Sequence, residues 1–323
     1  MVETYRRMQG INSDGTPLHV AVSGAGGLIG SALARRLTSG GHRVSRLVRR
    51  AAGPGEISWD PAAGLLDPGD LEGLDAVVHL AGESVGVRWT RARKARIRES
   101  RVQGTHLLSQ ALAGTRKPPR VLVSASAMGI YGNRGEEVLT ERSPPGPKDE
   151  FLAAVGQEWE SAADPARTAG IRVVHPRFSV VLSAEGGALA KMLPPFRLGL
   201  GGRLGDGSQW MSWISIDDVA GALLHLILNE SLSGAVNVTA PEPLRNRDFS
   251  RTLGRVLSRP TLFPVPSGAL RLVFGEMADA ALLASVRLLP ARLLESNYRF
   301  EHPDLETALR HVLGLGRRAI LPQ

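Results

Sequence analysis

The segment over residues 19–30 constrains the fold of this chain more than any other. It joins a short apolar strand to the start of an amphipathic helix through three evenly spaced glycines, Gly24, Gly27 and Gly30. In such a unit one glycine allows the tight turn, one lets the backbone approach a pyrophosphate, and one permits close packing of helix on strand. The phosphates then lie at the helix N-terminus, where free N–H groups and the helix dipole favour negative charge. We therefore predict a dinucleotide-binding fold.

Apolar strands alternate with amphipathic helices along most of the chain, a pattern typical of a doubly wound parallel sheet. The predicted strands cover residues 42–48, 75–80, 120–126, 172–182 and 235–238. The predicted helices cover residues 89–113, 151–169, 214–228 (after a strand end), 246–257, 267–276 and 304–313. The class is α/β, with a doubly wound parallel (Rossmann) sheet and a smaller, mainly helical C-terminal substrate domain.

Changes in composition predict the limits of these parts. Residues 1–17 form a polar lead-in that we expect to be disordered, and residues 18–240 form the dinucleotide-binding domain. Residues 241–323 form the C-terminal domain. The Gly- and Pro-rich segment 186–213 is expected to contribute to the substrate site.

The amino-acid composition excludes several kinds of chemistry. The chain has no Cys, which excludes disulfides and thiolate catalysis, and its eight His show no ligand spacing, so no metal is expected. The formal charge is +8, but the densest basic stretch, residues 88–101, holds Trp89 as its one aromatic, which does not favour nucleic acid. No apolar run is long enough for a membrane span, and residues 1–17 lack the apolar core of a secretory signal. A cytoplasmic location is predicted.

The residues after the second predicted strand bear on the choice of cofactor. A carboxylate there would hold the ribose 2′-OH of NAD, whereas Arg accommodates the 2′-phosphate of NADP. Here the strand ends in Arg49 and Arg50, with no acidic residue before Glu56. Because the guanidinium fork suits phosphate, NADP is the predicted cofactor.

Further motifs resemble a known superfamily. The glycine loop, the sequence DAVVHLAG over residues 75–82 and a Ser-containing strand before Tyr131 and Gly132 resemble the extended short-chain dehydrogenase/reductases. Residues 88–101, Trp159-Glu160, 209–214 and the C-terminal region are similar to one atypical subgroup, the epimerase family proteins, which carry a C-terminal domain of unknown function. The resemblance implies the fold and NADP binding.

The resemblance also implies cofactor contacts along four segments, namely the glycine loop, the end of the second strand, the DAVVHLAG motif and the next strand, together with an Arg of the long helix. The predicted contacts are Gly24, Gly26, Gly27, Leu28, Ile29, Gly30, Arg49, Arg50, Leu80, Ala81, Gly82, Arg101 and Ser124.

Catalysis in the superfamily uses a Ser and a Tyr-x-x-x-Lys pair, in which the ammonium favours the phenolate. Ser126 matches the Ser, but the Tyr and Lys positions hold Phe151 and Val155. Tyr131 is the predicted substitute if it faces the nicotinamide; it could equally pack against a loop.

Two cations are further candidates for the missing catalytic groups. Lys94 and Arg101 lie two turns apart on one helix and could point together into the site. Alternatively, they form a surface or dimer face.

The substrate side departs from sugar-nucleotide enzymes. Met211 stands where an Arg grips the substrate diphosphate in the superfamily, which disfavours a UDP-sugar. Trp210 and Trp213 suggest a flat apolar wall, although core packing would explain them too. Arg197 and Arg203 could bind a carboxylate or phosphate or be solvated.

Two functions remain open at this point. One is an NADP(H)-dependent oxidoreductase or epimerase acting on a small carbonyl or hydroxyl substrate. The other is a non-catalytic NADP(H)-binding protein with a redox-sensing or structural role. Analogy with the fold also suggests a homodimer.

Overall fold

The computed structural model describes residues 16–316, so the predicted lead-in lies almost wholly outside the described residues. The strands are β1 (His19–Ser23), β2 (Arg43–Val48), β3 (Glu56–Ser58), β4 (Ala76–His79), β5 (Val121–Ser124), β6 (Ser126–Ala127), β7 (Val138–Leu139), β8 (Arg172–Phe178), β9 (Val180–Leu182), β10 (Trp210–Met211), β11 (Trp213–Ser215), β12 (Gly234–Val238), β13 (Leu244–Arg245) and β14 (Arg287–Leu288). The α-helices are α1 (Leu28–Ser39), α2 (Arg91–Ala113), α3 (Phe151–Ser161), α4 (Asp164–Thr168), α5 (Gly187–Arg197), α6 (Ile216–Leu228), α7 (Asn246–Leu257), α8 (Ser267–Phe274), α9 (Ala291–Glu295) and α10 (Leu305–Val312). No helix among these is long and apolar enough to cross a membrane.

A parallel sheet with the order β3-β2-β1-β4-β5-β8-β12 forms the centre of the molecule, and β6 extends the pairing along β8. The inner strands β1, β4 and β5 are mainly apolar and buried on both faces because helices cover both sides of the sheet. On one side α1 and α6 pack over β1 through Leu33 and Leu223, and on the other α2 and α4 pack through Leu108 and Ala166. The predicted doubly wound sheet is confirmed.

The C-terminal region is mainly helical, as predicted, and it packs on the sheet domain at two places. Helices α7 and α10 share a core with α5, built on Leu193, Leu253 and Leu309. Strand β14 pairs in parallel with β7, which belongs to the first half of the chain. The Ser212 hydroxyl also joins the sheet domain to the C-terminal region. It donates to the carbonyl of Val286 and accepts from the amide of Leu288.

The local structure differs from the sequence analysis at three places. The segment 186–213 contains helix α5 although Pro194 and Pro195 lie within it. Proline disrupts a helix interior, but here both residues fall in the last turn and the buried face of Leu189, Leu193 and Phe196 stabilises the helix. The predicted helix 151–169 is divided into α3 and α4, and the strand 172–182 is divided into β8 and β9.

Candidate dinucleotide site and adjoining cleft

The glycines after β1 take three different structural roles. Gly24 has φ +67°, and a Cβ there would lie 2.9 Å from the amide nitrogen of Ala81. The amide of Gly27 closes the turn on the carbonyl of Gly24 at 2.9 Å. At Gly30 a Cβ would lie 2.2 Å from that carbonyl oxygen, because α1 passes so close to the turn. The turn and the close helix packing expected from the spacing are therefore present.

The outer side of this loop is open. Gly26 and Gly27 are exposed, and a Cβ on Gly26 would meet no atom within 4 Å. No side chain caps the start of α1 and its first turn carries no acid. Leu28 and Ile29 are half-buried there, with Leu28 beside Gly186. The helix N-terminus can accept a pyrophosphate, so the residues present fit a dinucleotide.

The loop after β4 forms the floor of the site. The Ser23 hydroxyl accepts hydrogen bonds from the amides of Leu80 and Ala81, at 3.0 and 3.2 Å. Its own proton goes to Nδ1 of His79 at 2.7 Å, since burial lowers the pKa of His79 to about 4 and keeps the ring neutral. This clamp holds the backbone of residues 80–81 next to Gly24.

The two arginines after β2 have different surroundings. Arg50 forms two hydrogen bonds of 2.7 Å with the Glu56 carboxylate. Arg49 is exposed and makes no ion pair or hydrogen bond within residues 16–316. The register of β2 with β3 places Glu56 opposite Arg46, and the turn between the two strands brings its carboxylate to Arg50, a contact that the sequence reasoning missed.

Arg101 and Lys94 do not point together, and both contact their own chain. Arg101 lies against Gly82, donates to the carbonyl of Glu83 at 3.0 Å and stacks on Trp159, and burial lowers its pKa to about 10. It supports the loop after β4. Lys94 instead binds the Glu276 carboxylate at 2.8 Å, near α8.

Phe151, in the place of the usual Tyr, belongs to an apolar cluster at the start of α3. Its ring packs edge-on against Trp89 at 5.0 Å, and the Lys94 ammonium lies 4.6 Å from the ring centroid. Met277, from the C-terminal region, completes this cluster. An ammonium group thus rests on the aromatic ring that replaces the phenol.

The Tyr131 side chain is not open to a substrate, contrary to the expectation for a proton donor. It is fully buried, and its hydroxyl donates to Oδ1 of Asn237 at 2.8 Å and accepts from Nη1 of Arg177 at 2.8 Å. Burial raises the pKa of Tyr131, and the Arg177 charge offsets that increase only in part. Because β8 and β12 run beside the loop that carries it, Tyr131 packs into the core.

The two serines of this region are also buried. The Ser126 hydroxyl donates to Oε1 of Glu160 at 2.7 Å, and Glu160 is held by two hydrogen bonds of 2.8 Å from Arg177. The hydroxyl of Ser124, at the end of β5, makes no hydrogen bond within the described part of the chain. Ala127 is the first exposed residue after β5.

The predicted aromatic wall is not formed. Trp213 is 1% exposed and lies in the core with Phe249, donating to the carbonyl of Glu242. Trp210 is stacked by the guanidinium groups of Arg245 and Arg287, at 4.3 and 4.2 Å. The two rings do not form one wall because Trp210 belongs to β10 and Trp213 to β11. Met211 is half-buried between them.

Arg197 and Arg203 are both exposed but lie in different surroundings. The Arg197 carbonyl accepts a hydrogen bond from Arg259 at 2.8 Å. Arg203 borders a cleft of about 240 Å³ whose other lining residues are Asp206, Arg247, Ser250, Arg251 and Thr261. The sequence reasoning did not connect Arg203 with the two arginines of α7, since they are separated along the chain.

Two side chains hold the loop 82–90 to neighbouring helices, and we call their bonds the cleft contacts. Lys191 of α5 donates to the carbonyl of Gly86 at 2.7 Å. Arg88 donates to the carbonyls of Leu272 and Val273, at the end of α8. The loop 82–90 is thereby connected to both α5 and α8.

The sheet order and the glycine loop define a dinucleotide-binding α/β protein. The chain belongs to the NAD dependent epimerase/dehydratase family, which residues 20–239 match, and residues 265–312 match a domain of unknown function, DUF1731. The resemblance to the atypical epimerase family proteins is confirmed.

Relatives match over nearly their whole length. An epimerase family protein of Mycobacterium tuberculosis is 44% identical over 292 residues, covering 90% of this chain and 96% of the relative. The epimerase family protein SDR39U1 of Homo sapiens is 37% identical over 301 residues, covering 92% of this chain and 100% of that protein.

Solved structures have the same architecture. Human SDR39U1 (isoform 2) with NADPH superposes with a TM-score of 0.83 at 35% identity, covering 92% of this chain and 99% of that chain. A nucleoside-diphosphate sugar epimerase from Corynebacterium glutamicum gives a TM-score of 0.79 at 38% identity, covering 96% of this chain and 61% of that chain. The UDP-N-acetylglucosamine 4-epimerase of Bacillus cereus, 17% identical with a TM-score of 0.72, shares the fold; 93% of this chain and 99% of that one are covered.

Proposed function

We propose that this protein is an NADP(H)-dependent oxidoreductase or epimerase acting on a small carbonyl or hydroxyl substrate. The observation that carries the choice of NADP is the end of β2, where Arg49 is exposed and has no partner in residues 16–316. The next acidic residue along the chain, Glu56, is already bound by Arg50. A 2′-phosphate would therefore meet a guanidinium rather than an acid. The NADPH in the human relative's structure supports this assignment.

The glycine loop and the β4 loop would bind and orient the cofactor. The start of α1 supplies amides for the pyrophosphate, while the Ser23 clamp keeps residues 80–81 fixed beside it. NADPH, when bound, supplies the hydride. The chain must then provide a proton donor near the cofactor.

Lys94 is the proposed proton donor. The Tyr131 and Ser126 hydroxyls are buried and Arg101 supports the loop after β4, whereas the Lys94 side chain is 31% exposed. The Lys94 ammonium lies over the Phe151 ring, in the place of the usual Tyr, and Glu276 orients it. From there it could give a proton to a substrate oxygen as hydride arrives at carbon.

The first test concerns Arg49. Arg49→Ala should weaken NADPH binding by about 10- to 100-fold, the value of a hydrogen bond to a charged group, and leave NADH binding unchanged. Fluorescence titration of cofactor-stripped protein measures both constants. Arg43→Ala, at the opposite end of β2, serves as the matched control. An unchanged NADPH-to-NADH ratio in Arg49→Ala would rule out the NADP assignment.

The second test concerns turnover. NADPH oxidation is followed under single-turnover conditions, with the enzyme in excess over NADPH. The substrates are a panel of small aldehydes, ketones and enones. With any substrate that reacts, Lys94→Gln should lower the rate by about 10²-fold or more while NADPH still binds, because a general acid contributes about 10²–10⁴-fold. Arg91→Gln, an exposed neighbour on α2, should react at the wild-type rate. A wild-type rate in Lys94→Gln would exclude this role.

A non-catalytic NADP(H)-binding protein is the second candidate. It is favoured by the apolar cluster around Phe151, which excludes the phenol used by the superfamily. Tight NADPH binding without oxidation across the panel would favour this function over the first. Sensing would then require that NADPH and NADP⁺ bind with different affinities, which the same titration measures.

A further inference from the structure

Two histidines and an aspartate come together where the start of α6 meets α10. Asp217 lies in the first turn of α6, His302 just before α10, and His311 in the last turn of α10. One ligand atom from each lies within 4.8 Å of the other two. The His302 and His311 rings stack at 4.2 Å, and Nε2 of His311 lies 3.1 Å from Oδ2 of Asp217.

Buried contacts fix the backbone that carries these three groups. Asp218 is fully buried and its carboxylate accepts from the amides of Glu301 and His302, at 2.7 and 3.0 Å. The Ser215 hydroxyl caps α6 by accepting from the amide of Asp218. On α10, Leu305 and Leu309 are buried in the core shared with α7. The three donors therefore project from rigid segments, which lowers the entropic cost of binding an ion.

The three ligand atoms favour one class of metal ion. Two imidazole nitrogens and one carboxylate oxygen suit Zn²⁺ and neighbouring divalent transition metals, whereas Ca²⁺ and Mg²⁺ prefer oxygen ligands. The His302 ring makes no hydrogen bond within residues 16–316, so its nitrogens are available. The three side chains are at least partly exposed, which leaves positions for water.

We propose that Asp217, His302 and His311 form a binding site for a divalent transition metal of the Zn²⁺ type, with water completing the coordination. The ion would connect α10 to α6, a helix of the central domain, so its expected effect is on stability rather than on turnover. The spacing of the histidines did not predict this site, because Asp217 and the histidines are far apart in the chain.

The test uses tag-free, full-length protein dialysed against EDTA and then against metal-free buffer. Titration with Co²⁺ should produce visible d–d absorption bands that saturate at one equivalent, and Zn²⁺ should displace them. Zn²⁺ should also raise the Tm. His302→Ala and His311→Ala should each weaken Co²⁺ binding by about tenfold or more. Asp217→Asn should weaken it as well, although the Asn side chain has nearly the same shape as Asp.

His106→Ala, which removes an exposed histidine of α2, is the matched control and should keep wild-type Co²⁺ affinity. Circular dichroism and NADPH titration establish that each variant is folded. Absence of Co²⁺ binding by the wild type overturns the proposal. So does unchanged affinity in a folded His302→Ala/His311→Ala double variant.

Discussion

Gly26 and Gly30 belong to one loop but have opposite surroundings. A Cβ on Gly30 would overlap the carbonyl of Gly24, so Gly30→Ala should force α1 away from β1 and lower the free energy of unfolding by at least about 1–3 kcal/mol. Gly26→Ala places its Cβ in open space and should leave stability unchanged while weakening NADPH binding, because the methyl group enters the space intended for the phosphates. Urea denaturation and NADPH titration measure the two effects. Full affinity in Gly26→Ala would mean that the phosphates do not approach this residue.

Single residues also mark the limit of what the sequence could predict. The glycine spacing predicted the loop geometry because turn, helix and strand are adjacent in the chain. The roles of Arg49 and Arg50 could not be separated, since it is the turn between β2 and β3 that brings Arg50, and not Arg49, to Glu56. In the same way, Tyr131 is held by Arg177, a residue of β8 that only the folded sheet brings near it.

The end of β4 makes folding stability depend on pH. Burial lowers the pKa of His79 from 6.5 to about 4, so the unfolded chain takes up a proton at a higher pH than the folded protein does. Stability should therefore fall as the pH drops from about 6.5 to about 4, with about 3 kcal/mol from this residue. His79→Leu should be less stable at pH 7, having lost the Ser23 bond, but should show a flatter profile over this range. Urea denaturation at several pH values measures how steeply the free energy of unfolding changes with pH. The control variant His106→Ala should show the same pH dependence as the wild type. An equally steep profile in His79→Leu would contradict the role given to His79.

Elements with a clear apolar period were the easiest to predict. Helix α7 has the predicted limits, 246–257, because Phe249, Leu253 and Val256 repeat at helical spacing. Helix α5 was missed because its prolines and the glycines around it are typical of a loop. The tertiary contact of its apolar face with α7 and α10 decides its structure instead.

At the scale of the whole molecule, the cleft contacts connect the loop 82–90 to α5 and, through Arg88, to the C-terminal region. Replacing both cations, in Arg88→Ala/Lys191→Ala, should increase amide hydrogen exchange in residues 82–90 and 267–276. The central strands should exchange as slowly as before, because their bonds are untouched. Arg91→Ala is the control and should exchange like the wild type. Unaltered exchange in the double variant would mean that other contacts hold the cleft.

The pairing of β14 with β7 has a consequence for biosynthesis. Strand β7 and the Ser212 hydroxyl receive their partners from residues 286–288, which are synthesised after both of them. The side-chain amide of Asn237 likewise waits for the carbonyl of Leu289. The nascent chain must therefore carry an unfinished dinucleotide-binding half until residues 286–289 have been made. A message truncated shortly after β12 would yield a product with an open strand edge, prone to aggregation rather than to partial function.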